Sequence, residues 1–225
     1  MKIEELTNCP KWLKEAETEN ADVEIIDGVV YWYRGTWENG IWENGIWRNG
    51  SWVNGIWCNG TWKDGCWYAG LWHEGTWLRG TWVGGDWCGG IWENGTWIKG
   101  SWHNGTWKNG IWESGIWKKG FWRNGTWKGG TWQNGTWRDG LWYGGFFYNG
   151  TWKDGYWLTG TWLDGTWHDG TWNKGIWHKG TWYNGVWRRG SWEGGKWIKG
   201  TWKGGDLVCG TWVPYNWPIN ILLTL

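Results

Sequence analysis

Gly35-Thr36-Trp37-Glu38-Asn39-Gly40-Ile41-Trp42-Glu43-Asn44-Gly45-Ile46-Trp47-Arg48-Asn49-Gly50 states one five-residue phrase three times: outward residue, Trp, variable residue, usually Asn, Asp or Lys, then Gly. The phrase fills 36 consecutive pentads, from Tyr31 to Gly210, and its fifth position is Gly in every one. Its second position is Trp except where Phe147 and Leu207 stand in. A period this short and strict means one structural rung copied many times, and the fold must be read from that rung.

Outward from the repeat, the chain falls into three regions: a non-repeating head over residues 1–30, the array over 31–210, and a divergent tail over 211–225. In the head, Pro10 suits a first helical turn ahead of Trp12, Leu13 and Ala16. Val23-Glu24-Ile25-Ile26 and Val29-Val30-Tyr31-Trp32 then read as two strands about an Asp27-Gly28 turn. The head is expected to cap the first rung. In the tail, Pro214 and Pro218 break the pattern and Ile219, Ile221, Leu223 and Leu225 alternate. That segment suits a cap on the last rung or an apolar dimer contact.

An array of short hairpins is excluded by hydrogen-bond parity. In an antiparallel meander with two-residue turns, Ile41 would face the preceding strand and Glu43 the following one, yet residues two apart point to the same side. A parallel β-solenoid has no such conflict, since each pentad becomes one side of a coil and coils stack at about 4.8 Å. The first and third positions include Glu38, Arg48, Lys63, Asp86, Arg123, Lys153 and Lys196, which cannot be buried in numbers. Trp and Gly are therefore expected inside, with Trp37, Trp42, Trp47, Trp107, Trp152 and Trp202 as core. The fourth position is expected to turn the corner with a positive φ, as Asn, Asp or Gly, which supply 23 of the 36 fourth positions, tolerate best. Each buried indole N–H is expected to find a backbone carbonyl at a corner.

The rung Gly35-Thr36-Trp37-Glu38-Asn39 resembles that of pentapeptide-repeat proteins, with Gly for their usual Ala and Trp for their usual Leu or Phe. Those proteins form right-handed, four-sided β-helices. The resemblance implies four pentads per coil, hence about nine coils and roughly 43 Å of stack; three sides would give about twelve coils. The chain also resembles Trp-Gly pentad proteins of unknown function in phage and prophage genomes. Gyrase-binding relatives among pentapeptide-repeat proteins mimic DNA with an acidic surface, which this chain lacks.

Charge and cysteine content narrow the function classes. The net charge is +1, so no global field draws polyanions. Residues 1–45 nevertheless carry four Lys/Arg against ten Asp/Glu, while residues 171–205 carry seven Lys/Arg against Glu193 alone. Opposed charge of this kind suits self-association or a protein partner through the solenoid ends. The basic stretch (Lys174, Lys179, Arg188, Arg189, Lys199 and Lys203) suits nucleic acid or a glycan. Cys9, Cys58, Cys66, Cys88 and Cys209 lack metal or disulfide spacing and read as thiols in a reducing compartment. The polar, acidic N-terminus shows no signal peptide and no run is long enough to span a bilayer, so a cytoplasmic, membrane-free protein is expected.

No catalytic residue, metal site or cofactor is expected. His73, His103, His168 and His178 all occupy third, outward positions, and with four sides none would stack on another His or on a Cys. Thr opens 15 of the 36 pentads, but its companion third positions are too mixed for an ice-binding surface. The sequence reads as a non-enzymatic scaffold or spacer, with nucleic-acid or glycan binding at the basic end as the alternative.

Overall fold

The computed structural model describes residues 3–212. The chain divides into two compact units, residues 1–115 and 116–225, which are taken separately. Apart from a short 3-10 turn, Ile3–Glu5, and a four-residue helix α1, Lys11–Lys14, the described residues are all-β. No described helix is long and apolar enough to cross a membrane.

The first unit opens with strands β1, Glu17–Ile26, and β2, Val29–Asn39, paired antiparallel. Asp27 (φ 51°) and Gly28 (φ 77°) both take positive φ between them, as a two-residue hairpin turn demands. β2 runs into the first pentads without a break. Pro10 precedes α1, which buries Leu13 completely and sets Trp12 against Trp42, with ring centroids 5.1 Å apart at 63°.

Beyond β2 each pentad contributes a two-residue strand made of its first two residues, as in Ile41–Trp42 and Ile46–Trp47. Within the first unit these pair in parallel with the pentad fifteen residues away: Ile41 with Ile56, Ile46 with Thr61, Ser51 with Cys66. The second unit keeps that register, with Ile116 on Thr131, Phe121 on Thr136 and Thr126 on Leu141. Two backbone bonds recur in each rung. The first-position N–H donates to the Gly carbonyl sixteen residues earlier (Ile56 to Gly40, 2.9 Å), and the third-position N–H to the Trp carbonyl sixteen earlier (Cys58 to Trp42, 2.8 Å).

The parallel, Trp-cored solenoid is therefore the fold, and its five-residue rung is consistent with a pentapeptide repeat. The four-sided coil of nine turns is not: three pentads close one coil. Each indole lies flat on its counterpart one coil away, as Trp62 does on Trp77 at 4.8 Å and 5°. Within a coil the three indoles meet edge to face, Trp57 to Trp62 at 6.0 Å and 72° and Trp62 to Trp67 at 6.1 Å and 75°. Three such rings fill the cross-section with the geometry their quadrupoles prefer. A fourth side would widen the interior while Gly adds no atom to fill it, and an unfilled core is costly.

Every indole from Trp32 to Trp197 is fully buried, among them Trp37, Trp42, Trp47, Trp107 and Trp152; Trp202 is 7% exposed. Phe147 takes its place in the stack between Trp132 and Trp162.

The corner differs from expectation. Among the pentads the positive φ belongs to the fifth-position Gly (+131° at Gly95), and no fourth-position Asn or Asp has one. A Cβ on Gly95 would lie 2.5 Å from the Gly80 carbonyl oxygen on the neighbouring coil and 3.2 Å from Cζ2 of the buried Trp92. The fourth-position side chain instead satisfies the corner: Asn44 Oδ1 accepts the Gly45 N–H at 2.9 Å, and Asp154 Oδ1 that of Gly155 at 2.7 Å. Indole N–H groups reach a backbone carbonyl at Trp127, Trp177 and Trp187, each donating at 3.1 Å to the Gly seventeen residues on. The expected carbonyl bond is not general: most other buried indole nitrogens among the described residues, those of Trp47, Trp62 and Trp162 included, meet no such acceptor. The apolar tail beyond Trp212 lies outside the described residues.

Candidate functional site: a basic corner and its aromatic face

The fifteen-residue register sorts the outward residues into ranks, each running one member per coil. In the second unit, one face carries Thr126, Leu141, Tyr156, Thr171, Val186 and Thr201 at first positions. Its third positions are Lys128, Tyr143, Leu158, Asn173, Arg188 and Lys203, placed by bonds such as Arg188 N–H to Trp172 O and Lys203 N–H to Trp187 O, both 2.8 Å. Lys174 and Arg189 follow at the adjoining corner, held by Lys174 N–H to Leu158 O (3.2 Å) and Arg189 N–H to Asn173 O (3.1 Å).

Four of the six cations singled out in the sequence thus converge. Arg188 stacks under Lys203, Lys174 under Arg189, and all four are exposed. Among the described residues none of the four has an ion-pair partner. Lys179 and Lys199 stand elsewhere: Lys179 pairs with Asp164 at 3.2 Å, and Lys199 follows Asp169 and Asn184 at the third corner. The sequence could not separate these groups while the number of sides was open. Nor did it show the exposed aromatics that share the face: Tyr143 and Tyr156 are 48% and 57% exposed, beside Leu141.

Several other outward charges pair from coil to coil. Lys108 meets Glu93 at 2.7 Å, Arg79 meets Asp64 at 3.0 Å and His178 meets Glu193, each fifteen residues apart. Four sides would stack Glu93 on Glu113, twenty apart; the register instead sets the Glu93 pentad against that of Lys108.

His168 lies between Lys153, whose Nζ is 3.2 Å from its Nε2, and Tyr183, stacked at 5.2 Å and 7°. Burial, and then the Lys153 charge, push the His168 imidazole below its ordinary value. These three share a face with Thr136, Thr151, Thr166 and Thr181, a regular Thr rank beside a mixed one. In the first unit, a cleft of about 630 Å³ lies beside α1, lined by Trp12, Ile41, Lys11, Glu15 and Glu43. It gathers no buried polar group.

No family model and no curated protein matches the chain. Among solved structures, a putative acetyltransferase from Desulfovibrio desulfuricans G20 aligns with 91% of this chain and 74% of its own length, at 4% identity and a TM-score of 0.18. A likeness that slight carries no argument about fold or activity.

Proposed function

We propose that the chain is a non-enzymatic β-solenoid scaffold that displays freely variable outward ranks on a fixed indole core. One observation carries this reading. Buried positions are nearly invariant along the array, while outward positions hold every class of side chain. A display module needs that separation of duties. Cytoplasmic, reducing surroundings belong to the same proposal, supported by the odd number of cysteines and their lack of disulfide spacing. A phage or prophage origin rests on the pentad resemblance alone.

The test is a block exchange of outward residues, for example Thr136, Thr151, Thr166 and Thr181 to Ser. The unfolding free energy should change by no more than about 0.5 kcal/mol per site. Loss of folding on single outward exchanges would overturn the scaffold reading.

The unpaired cations, on the face that also carries Tyr143 and Tyr156 two to three coils from Arg188, favour a second reading, single-stranded nucleic acid bound along that face by phosphate contacts and base stacking. Anisotropy of a labelled oligonucleotide should then weaken with salt, and weaken further in Arg188→Ala/Arg189→Ala. Binding of an anionic glycan but no oligonucleotide would move the partner to the other class.

A further inference from the structure

The same register that separates the cations assembles a rank absent from a four-sided reading. On one face of the first unit the strands Ile41–Trp42, Ile56–Trp57, Leu71–Trp72, Asp86–Trp87 and Ser101–Trp102 stack in parallel. Their third positions read Glu43, Cys58, His73, Cys88 and His103. Thiol and imidazole alternate over four successive coils, although the array holds only four cysteines and four histidines. Backbone bonds pin the rank: His73 N–H to Trp57 O at 2.8 Å, Cys88 N–H to Trp72 O at 2.7 Å, and His103 N–H to Trp87 O at 2.8 Å. The rise between coils is that of the indoles beneath, 4.7 Å from Trp72 to Trp87 and 4.9 Å from Trp87 to Trp102.

Cys88 is the centre of a wider group. His73 and His103 flank it one coil to either side. Asp86 stands two residues earlier and points to the same outward side, and its Oδ1 is 3.6 Å from His103 Nε2. Cys88 is followed by Gly89, and the room a side chain would need there is taken by Glu74, whose Cδ lies 3.0 Å from the position of a Gly89 Cβ. The thiol thus has an imidazole at the same rank position on the coil to either side, and carboxylates at two adjoining positions.

We propose that His73, Cys88, His103 and Asp86 form a binding site for a borderline-soft divalent ion of the zinc class. Ligand bonds of about 2.0–2.3 Å in a tetrahedron place neighbouring donor atoms roughly 3.4 Å apart. The Asp86–His103 separation is already close to that. An ion held above the Cys88 thiolate is within reach of an imidazole from the coil on either side. As placed here no three of the donors converge on one point; they are outward side chains, and rotation about their χ angles closes the shell. Thiolate with imidazole selects zinc-like ions over calcium or magnesium. On binding, the Cys88 thiol gives up its proton to solvent and its sulfur lone pair forms the bond to the ion. The thiolate and the Asp86 carboxylate then balance the two positive charges. With four protein ligands the site is a closed structural one, tying three coils together.

Titration of the tag-free full chain with Co²⁺ tests this, read by thiolate-to-cobalt charge-transfer absorption and by the visible bands of a tetrahedral ion. One equivalent per chain should develop both signals, and Zn²⁺ should displace them. Cys88→Ser should abolish the charge-transfer band, and His73→Gln or His103→Gln should weaken binding at least about tenfold. Cys66→Ser and His168→Gln, on other ranks, should leave both signals unchanged. Native indole fluorescence in each variant guards against misfolding. Absence of the band in the unaltered chain overturns the proposal, as does a band that survives Cys88→Ser or depends on Cys58 instead.

Discussion

At the scale of single residues, Gly and His168 carry the clearest consequences. The fifth-position Gly is required twice over, by a φ that L side chains avoid and by the carbonyl of the coil beneath. Gly95→Ala should therefore cost at least about 1–3 kcal/mol in urea unfolding, the ordinary penalty for such backbone strain, with the clash against Gly80 added. Gly144→Ala is the control. Its φ is ordinary, the nearest atoms to a new Cβ are 3.8 Å away, and its carbonyl still accepts the Trp127 N–H, so the change should stay within about 0.5 kcal/mol. The second prediction concerns protonation. A depressed imidazole binds its proton less readily in the folded chain than in the unfolded one. Its contribution is intact above the unfolded value, near 6.5, and is lost as pH falls through the lower folded value. NMR titration should place His168 below that reference, and Lys153→Met should bring it only part of the way back, because burial is the larger cause. A His168 that titrates above the reference would refute this assignment.

At the scale of elements, the two-residue strand is too short to specify its own partner, so the register is written in what lies above and below it. Buried indoles stack fifteen residues apart and outward charges pair over the same interval. A double-mutant cycle on Glu93 and Lys108 should show coupling of about 0.2–1 kcal/mol, the range for partly exposed pairs. The cycle on Glu93 and Glu113, twenty apart, should show none. Reversal of these two results would restore a four-sided coil. Part of this register is written in the chain itself: Asp64 and Arg79, Glu93 and Lys108, and Asp164 and Lys179 are opposite charges at a spacing of fifteen. The signal is weak because each exposed pair contributes so little that such matches carry only slight weight one at a time.

At the scale of the whole molecule, the prediction is spectroscopic. With the indoles of the array sealed from solvent, native fluorescence should be blue-shifted and resist acrylamide, and both properties should vanish on unfolding. A red-shifted, readily quenched native signal would mean that the Trp residues face outward, and the core described here would be wrong. Functionally, the molecule separates an interior that is uniform from a surface that is not. The candidate sites are accordingly patterns on ranks: four cations on a face shared with two tyrosines in one unit, and a Cys–His alternation in the other. Neither was visible from spacing alone, because neither uses a spacing that matters until the coil length is known.

The sequence by itself determined the class of fold. A period of five cannot be satisfied by hairpins, charged first and third positions cannot be buried in numbers, and only Trp and Gly remained for the interior. It also marked Asp27-Gly28 as a hairpin turn. The number of sides was decided by tertiary packing, because a local period describes one rung and is silent on how many rungs close a turn. That number follows from filling a cross-section, and three indoles meeting edge to face fill it while Gly contributes nothing inward. The same closure decided which outward residues become neighbours. It put Arg188 beside Lys203, Lys108 beside Glu93 and Cys88 between His73 and His103.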